Sequence, residues 1–254
     1  IFPFTYNHFD ELQAIVEQHD IGVIKMEVIR SGEPRDGFLQ KVKELAVKRG
    51  IVLVFDECTS GFRQTYGGIH KLYGVEPDVA VFGKALGNGY AVTAIAGRRS
   101  VMEVAQSTFI SSTFWTERIG PAAALKTLER MREVRSWEEI TKAGNYIRSG
   151  WSRLAEKHGL QIEISGIPAL SVFTIKGVDM LACKTLITQE MLKRGYLATN
   201  TIYTCIHHTP TIIDAYLDAL DPVFEVLGEC ARGDRPVLSL LEGPACEAGF
   251  KRMN

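Results

Sequence analysis

Two short apolar runs in the first third of the sequence limit what this chain can fold into, because a charged side chain closely follows each. Residues 51–55 read IVLVF and precede Asp56, and residues 79–82 read VAVF and precede Gly83 and Lys84. Runs of this length and β-branched content are typical of strands buried on both faces of an α/β sheet. Such sheets bind ligands beyond the carboxyl ends of their strands, so we expect Asp56 and Lys84 to face one site.

A carboxylate and a lysine at neighbouring strand ends suit the cofactor pyridoxal phosphate. Enzymes hold this cofactor on a lysine as a Schiff base and place an Asp against its pyridine nitrogen. Asp56 would keep that nitrogen protonated, and Lys84 would be both the covalent anchor and the proton carrier. The alternative is that Asp56 caps a turn and Lys84 is an exposed loop lysine, and position in the fold alone leaves both interpretations open.

Three motifs around these residues are more specific than the positions alone. In chain order they are FDECTSGFR from residue 55, YGVEPDVAVFGKALGNG from residue 73 and AIAGRR from residue 94. They resemble the central motifs of the class III (subgroup II) pyridoxal-phosphate-dependent aminotransferases, particularly the branch containing glutamate-1-semialdehyde aminomutase. The resemblance implies an α/β fold-type I transferase in which Lys84 binds the cofactor and Asp56 contacts its ring nitrogen.

The resemblance also places Cys58 in the cofactor site. Cys58 stands where the family usually has a valine lying flat against the cofactor ring, and a thiol fits there as a small apolar group. A role as a reactive nucleophile would require a nearby His or positive charge, which the sequence does not identify. We therefore interpret Cys58 as a cofactor-binding residue without a chemical step of its own.

Thr113 is the fourth residue that the resemblance assigns to the cofactor. It takes the place of a family threonine that reaches across a subunit interface to the neighbouring subunit's cofactor phosphate, although Glu117 and Arg118 replace the family's Asn-Pro pair. An ordinary capping loop before a helix is the alternative interpretation. If the functional interpretation holds, the protein is at least a homodimer with its cofactor site at the subunit interface.

At other positions the sequence departs from the family's motifs or leaves the role of a residue open. Asn88 replaces one glycine after the lysine, and Asn is the residue that best tolerates the left-handed backbone such a turn requires. Glu27 aligns with a Glu-Pro pair near the family's active site, but Val28 replaces the proline and leaves the role of Glu27 open. Arg63 and Tyr66 could touch substrate or simply pack within their loop.

The order of predicted elements indicates two domains. A helix capped by Asn7, a strand over 22–28, a helix over 37–49 and the Asp56 strand alternate as in a parallel sheet with right-handed crossovers. Beyond about residue 132 this rhythm gives way to short strands flanked by helices. We therefore predict the C-terminal part of a large cofactor-binding domain over 1–133, with an incomplete, mainly parallel sheet, and a small α+β domain over 134–254.

Comparison with the resembling family implies that the chain lacks an N-terminal part. Family chains carry there further strands of the large domain, a Gly-Ser/Thr turn for the cofactor phosphate and an aromatic residue that stacks on the ring. Those elements do not precede Ile1. We therefore expect a sheet with an unpaired edge and a cofactor phosphate without its principal cradle.

Composition disfavours several other functional classes. The formal net charge of −1 provides no basic field for nucleic acid, and no apolar stretch approaches the roughly 20 residues of a membrane span. Five cysteines without CxxC spacing predict reduced thiols in a cytoplasmic protein. His207 and His208 are adjacent, but no carboxylate or cysteine recurs at ligand spacing, so no metal site is predicted.

The resemblance implies amino transfer from a small-molecule donor to a carbonyl acceptor through Lys84 and Asp56. An intramolecular aminomutase of the glutamate-1-semialdehyde type would use the same two residues, so sequence near the cofactor leaves that alternative open. A third interpretation is a non-catalytic remnant that keeps the fold as an oligomerisation module. The retained Asp56 and Lys84 argue against it, since such a module has no physical need for either.

Overall fold

The computed structural model describes residues 1–29, 32–111, 113–114 and 116–247, and the chain divides into two compact units. The first unit comprises residues 1–138, and the second begins at Glu139. No helix in the described part of the chain is both long and apolar enough to cross a membrane.

The first unit is an α/β structure built on a four-stranded sheet. Its helices and strands are α1 (Phe9–Gln18), β1 (Val23–Glu27), α2 (Phe38–Arg49), β2 (Val52–Asp56), β3 (Val79–Phe82), β4 (Ala94–Gly97), α3 (Arg99–Met102) and α4 (Ile119–Val134), with 3-10 helices at Ile69–Tyr73, Lys84–Leu86 and Glu103–Ser107. The strand order is β1-β2-β3-β4, in which β1, β2 and β3 are parallel and β4 is antiparallel to β3. The predicted mainly parallel sheet is confirmed.

Burial of β2 differs from the prediction. Leu53 and Phe55 are fully buried, whereas Val52 and Val54, on the opposite face, are half-buried. Since α2 packs against β2, one face of the strand carries the core of this unit. The prediction of a strand buried on both faces is therefore wrong for this chain.

A buried carboxylate, Asp78, connects β2 to β3. Asp78 Oδ2 accepts a hydrogen bond from the Leu53 backbone N–H at 2.8 Å, and Oδ1 lies 3.1 Å from Lys43 Nζ and 3.3 Å from an Arg98 nitrogen. Burial by itself raises the pKa of Asp78, but these hydrogen bonds and charges outweigh it and lower the pKa. The Pro-Asp pair of the second motif thus fixes the position of the strand that leads to Lys84.

The start of α1 also corrects a prediction. Asn7 does not cap the helix, which begins at Phe9 with His8 in the capping position. Asn7 has a left-handed backbone with φ +68°, and its side chain bonds to the backbone of Glu33 and Arg35 at 3.0 Å each. Its amide therefore joins the chain start to the loop before α2, a pairing over more than 25 positions that local sequence does not reveal.

The second unit is α+β. Its elements are α5 (Ser136–Lys157, which begins just before the unit boundary), β5 (Ile162–Ile167), β6 (Leu170–Ile175), α6 (Met180–Lys193), β7 (Thr201–Tyr203) and α7 (Pro210–Arg232), followed by a 3-10 helix at Val237–Leu240. The three strands form an antiparallel sheet in the order β5-β6-β7. The predicted small domain boundary at 133/134 stays a prediction.

The core of the second unit surrounds Trp151, which is completely buried. Its ring packs edge-on against Phe173, with ring centroids 4.8 Å apart, and its Nε1–H donates to the Tyr216 hydroxyl at 3.0 Å. Buried indole N–H groups need such a partner, because an unpaired donor costs about 1–3 kcal/mol. The Trp151–Tyr216 bond is thus a polar contact on which this core depends.

We expect Tyr216→Phe to lower the free energy of unfolding by about 1–3 kcal/mol, because it leaves the Trp151 N–H buried without an acceptor. Urea unfolding followed by tryptophan fluorescence measures this change. The matched control is Tyr146→Phe, which removes an exposed hydroxyl bonded to Asp214 and should change stability by less than about 0.5 kcal/mol. Equal effects of the two substitutions would contradict the prediction.

Candidate active site

The two residues singled out by sequence lie at the same edge of the sheet. Asp56 is the last residue of β2, and Lys84 follows Gly83 directly after β3. These strands are parallel neighbours, with Asp56 opposite Val81, so both side chains emerge where the carboxyl ends of the strands meet. The sheet thus delivers a carboxylate and an amine to one edge.

The Asp56 carboxylate has a partner on each oxygen. Oδ1 accepts a hydrogen bond from the Cys58 backbone N–H at 3.1 Å, and Oδ2 lies 3.2 Å from Lys25 Nζ. Burial raises the pKa of Asp56, but the Cys58 and Lys25 hydrogen bonds outweigh burial and lower the pKa. The lowered pKa keeps the Asp56 carboxylate ionised. A quarter of the side chain remains exposed, so a ligand can reach it.

Lys84 begins a 3-10 helix in a backbone conformation that few lysines adopt. Its φ is +43°, in the left-handed region. Residues other than glycine that are held in this conformation occur most often at functional sites. Its exposed Nζ donates to the Thr59 hydroxyl at 3.0 Å. Thr59 belongs to the loop that follows Asp56, so this bond holds the amine toward that loop.

An open groove of about 830 Å³ lies beside Lys84, which forms part of its wall. Its other walls include Tyr90, Thr93, Phe114 and Glu117, all in the first unit. This volume lies within the range of sites that hold a cofactor or a small ligand.

The turn after Lys84 is tightly closed by small residues. A Cβ atom on Gly87 would lie 2.0 Å from the Tyr90 carbonyl oxygen, a separation that real side chains do not tolerate. Asn88 has φ +45° and Gly89 has φ +107°, so the left-handed backbone predicted at Asn88 is present. The motif GKALGNG thus encodes the shape of the turn that holds the lysine.

We expect Gly87→Ala to lower the free energy of unfolding by about 1–3 kcal/mol, because the added methyl group must displace the Tyr90 backbone. Urea unfolding followed by circular dichroism measures the change. Gly22→Ala is the matched control: a Cβ there meets nothing within 4 Å, so stability should stay within about 0.5 kcal/mol. A Gly87→Ala protein as stable as the control would contradict this account of the turn.

Comparison with known proteins shows which family has this pair of strand ends. The family model for class-III aminotransferases matches residues 31–217. The chain belongs to the class-III aminotransferase family. The family resemblance predicted from the motifs around Asp56 and Lys84 is confirmed.

Two curated proteins that are similar to this chain have different named activities. The 3-aminobutyryl-CoA aminotransferase of Cloacimonas acidaminovorans is 34% identical over 223 residues, which cover 82% of this chain and 54% of that protein. The glutamate-1-semialdehyde 2,1-aminomutase of a Sulfurihydrogenibium species is 28% identical over 200 residues, covering 74% of this chain and 47% of that protein. The chain therefore spans about half the length of the curated relatives it matches.

Solved structures show the same fold. The FumI protein of a Sphingopyxis species, solved in its PLP internal aldimine form, has a TM-score of 0.86 at 23% identity, covering 94% of this chain and 60% of that one. The β-phenylalanine aminotransferase of Variovorax paradoxus has a TM-score of 0.76 at 22% identity, covering 90% of this chain and 57% of that one. The predicted fold-type I class is confirmed.

Within this class-III chain, Cys58 is bound to Asp56 through its backbone N–H and also senses the charge of Lys84. Its Sγ lies 3.5 Å from where a Cβ on Gly83 would be, so the thiol packs over the residue preceding Lys84. Burial and the Asp56 carboxylate raise the pKa of the thiol, against the smaller opposing influence of Lys84 and Lys25. A neutral thiol fits the predicted packing role, and the assignment of Cys58 to cofactor binding stays a prediction.

Thr113 lies in an exposed turn before α4. The following residue, Phe114, lines the groove beside Lys84, which places the Thr113 turn near the same groove. Glu117, which replaces a family asparagine, caps α4 by accepting hydrogen bonds from the backbone N–H groups of Ile119 and Gly120. The helix therefore keeps a capped start despite that departure, and the contact of Thr113 with a neighbouring subunit stays a prediction.

A buried cluster under the site was missed by the sequence reasoning. Glu57, next to Asp56, is fully buried and accepts hydrogen bonds from the His70 backbone N–H at 3.0 Å and from the Ser60 hydroxyl at 2.5 Å. The His70 ring Nδ1 lies 2.8 Å from the same carboxylate. One signal was available: successive strand residues point to opposite faces, so an acid beside Asp56 had to point away from Asp56.

The hydrogen bonds to Glu57 control its ionisation. Burial raises the pKa of its carboxyl group, but the bonds from His70 and Ser60 outweigh burial and lower the pKa. A Cβ on Gly68 would lie 2.3 Å from the His70 ring and 2.8 Å from the Glu57 carboxylate, so this glycine lets the loop close over the pair. The cluster anchors the loop that carries Cys58 and Thr59.

Two of the three residues whose roles were left open, Tyr66 and Arg63, make structural contacts. The Tyr66 hydroxyl donates to the Leu128 carbonyl at 3.2 Å, and Arg132 lies over the Tyr66 ring at 5.1 Å. Arg63 Nε donates to the Thr59 carbonyl at 2.6 Å, within the loop that follows Asp56. Tyr66 thus joins this loop to α4, and Arg63 reinforces the loop itself.

The adjacent histidines of the second unit have a local role. His208 Nδ1 accepts a hydrogen bond from the Cys205 backbone N–H at 3.0 Å, which closes the turn before α7. Burial lowers the pKa of His208, as does the neighbouring His207. Among the residues described, no group of three or more His, Cys, Asp or Glu side chains is arranged to hold a metal ion.

Proposed function

We propose that the protein binds pyridoxal phosphate on Lys84 and transfers an amino group from a small-molecule donor to a carbonyl acceptor. One observation carries this proposal: Asp56 and Lys84 stand at the carboxyl ends of adjacent parallel strands in a chain of the class-III aminotransferase family. The named activities of the curated relatives, an aminotransferase and an aminomutase, support amino-group chemistry.

The residues at this sheet edge fit the cofactor. Asp56 is ionised and partly exposed, as a carboxylate must be to hold a proton on a pyridine nitrogen. The Lys84 amine is exposed and is oriented by Thr59, so an aldehyde can reach it. Cys58 is half-buried, and its neutral thiol follows Asp56 in the chain and packs against Gly83, the residue before Lys84.

The proposed chemistry divides between the cofactor and the chain. When bound, pyridoxal phosphate supplies an aldehyde that combines with amines and a ring that accepts the electrons left by a broken Cα–H bond. Lys84 Nζ would be the attachment point, and once the amino donor has displaced it from the cofactor, its free amine would be the base that takes and returns the substrate proton. Thr59 Oγ1 accepts from that Nζ and limits its motion, while the Asp56 carboxylate holds the proton on the ring nitrogen.

An intramolecular aminomutase is the second candidate, because glutamate-1-semialdehyde 2,1-aminomutases match this chain at 28% and 29% identity. Lys84 and Asp56 would have the same tasks in either reaction. The two activities differ in whether the amino group passes to a second substrate or returns to the same substrate. A measurement of exchange between substrates therefore separates them.

We further propose a homodimer in which Thr113 contacts the neighbouring subunit's cofactor phosphate, as the family resemblance implies. Large apolar side chains near Thr113 support a partner surface, since Phe109 is 94% exposed and Phe114 is 75% exposed. Five free cysteines support a reducing, cytoplasmic location. Residues 1–133 and 134–254 are proposed as parts of the family's large and small domains.

The proposal is tested with the protein loaded with pyridoxal phosphate and mixed with a panel of amino acids and amines without an acceptor. We expect at least one donor to change the cofactor's absorption and release a stoichiometric carbonyl product, and a keto acid to reverse the change. Isomerisation of one substrate without release of a carbonyl product would favour the aminomutase. Bound cofactor that responds to no donor and no isomerisable substrate would contradict both.

A further inference from the structure

Lys25 is a charged residue in the middle of an otherwise largely apolar strand. In β1, Ile24 and Met26 are buried on one face, whereas Lys25 lies on the other face with Glu27. The parallel register places Glu27 opposite Asp56 and Lys25 opposite Val54, two residues earlier on the same face. The Lys25 side chain thus approaches the candidate site from the neighbouring strand.

The ammonium group of Lys25 reaches the carboxylate assigned to the cofactor ring. Lys25 Nζ lies 3.2 Å from Asp56 Oδ2, while Asp56 Oδ1 accepts from the Cys58 backbone N–H at 3.1 Å. The carboxylate is therefore oriented from both sides. A ring nitrogen that approached Oδ2 would share this oxygen with the lysine, because a carboxylate oxygen has two lone pairs.

We propose that Lys25 is a positioning residue that sets how strongly Asp56 holds a proton on the pyridine nitrogen of bound pyridoxal phosphate. This inference rests on the proposed function. A positive charge beside Asp56 orients the carboxylate and partly neutralises the field that attracts the ring proton. Lys25 thereby makes the ring nitrogen less basic than it would be against Asp56 alone.

Several other charged or titratable groups surround Asp56 and influence the same proton. Glu27 on β1 stands opposite it, Cys58 follows β2, and Lys84 follows β3. Of these neighbours, Lys25 supplies the ammonium group in ion-pair contact with the carboxylate. Its removal leaves the Cys58 hydrogen bond in place, so the experiment changes one charge while retaining a hydrogen bond that orients the carboxylate.

The test uses the protein loaded with pyridoxal phosphate carrying ¹⁵N in its ring, because the ¹⁵N chemical shift reports protonation of that nitrogen directly. We expect Lys25→Met to raise the pH midpoint of ring-nitrogen deprotonation by about one unit, as removal of a unit charge a few ångströms away predicts. Lys25→Arg should restore the wild-type midpoint. Lys48→Met, an exposed lysine on α2, is the control for net charge.

A second measurement does not require the cofactor. In the cofactor-free protein, the carboxyl ¹³C shift of Asp56 should titrate at higher pH in Lys25→Met, because the hydrogen bond and charge of Lys25, which lower the pKa of Asp56 together with the Cys58 hydrogen bonds, are gone. Circular dichroism of each variant verifies folding, and Lys25→Gln replaces Lys25→Met if the latter fails to fold.

The outcomes separate this inference from the proposed function. A bound-cofactor signal whose midpoint is the same in wild type and Lys25→Met would overturn the role of Lys25 alone. A wild-type protein without any bound-cofactor signal would overturn both proposals. A raised midpoint in Lys25→Met that Lys25→Arg reverses and Lys48→Met does not reproduce would support the proposed role.

Discussion

Replacing Lys84 by alanine is expected to lower the rate of amino transfer on the order of 10⁴-fold, the largest effect that we predict for any single substitution. The substitution removes both the attachment amine and the base that moves the substrate proton, and positioned bases alone contribute about 10²- to 10⁴-fold. Single-turnover measurements with a productive amino donor, in which the change of cofactor absorption is followed, give the rate of this step directly.

The matched control is Lys71→Ala, which removes an exposed lysine from the loop between β2 and β3. Its Nζ donates to the Tyr66 carbonyl at 3.4 Å and has no part in the proposed site, so its rate should stay within about twofold of wild type. A Lys84→Ala protein that retains the wild-type rate within tenfold would remove Lys84 from the chemistry.

The second large effect is expected at Glu57, where alanine should lower the free energy of unfolding by about 3–5 kcal/mol. Substitution leaves the His70 backbone N–H, the His70 ring and the Ser60 hydroxyl without their common buried acceptor. Urea unfolding measures the loss. Glu57→Gln keeps one acceptor oxygen, so we expect an intermediate loss of about 1–3 kcal/mol.

The other carboxylate near His70 provides the control for Glu57. Glu76 Oε2 lies 3.6 Å from His70 Nε2, but its side chain is 79% exposed, so Glu76→Gln should cost less than about 0.5 kcal/mol. Protonation of Glu57 at low pH should also lower the free energy of unfolding, as the Glu57 substitutions do. Because the folded-state pKa of Glu57 lies below its ordinary value of 4.5, its contribution is present above that value and lost as the pH falls through the lowered pKa. Equal losses at Glu57 and Glu76 would contradict this assignment.

Features encoded by a few consecutive residues could be predicted from the sequence. The strand Val79–Phe82 has the predicted bounds, because its apolar run is short and ends at glycine. Gly50 ends α2 with φ +68°, and Asn88 adopts the left-handed backbone that its place among glycines indicated. At Gly50 and Asn88 the left-handed backbone restricts the residue type strongly enough for a single sequence to reveal it.

Features that depend on distant pairing could not be predicted in this way. His70 meets Glu57 across 13 positions, and Asn7 meets Arg35 across 28. The Lys25 contact with Asp56 depends on the strand register of β1 and β2, which becomes known once the sheet is assembled. Such pairs are specified by tertiary packing, and the residues themselves carry no local signature of their partners.

The candidate site shows the same division. The motifs predicted Asp56 and Lys84 as neighbours across two strands, and the parallel register places both at one sheet edge. The hydroxyl that orients the lysine, Thr59, was not singled out, since a threonine in a loop after a strand is common. Its role emerges from its 3.0 Å contact with Lys84 Nζ.

The central claim, that Lys84 is the attachment point for pyridoxal phosphate, is tested most directly by borohydride reduction of the cofactor-treated protein and mass spectrometry of its peptides. We predict one stoichiometric adduct on the peptide that contains Lys84, and its loss in Lys84→Ala. Adducts spread over exposed lysines such as Lys48 and Lys71, at levels unchanged by Lys84→Ala, would contradict the claim.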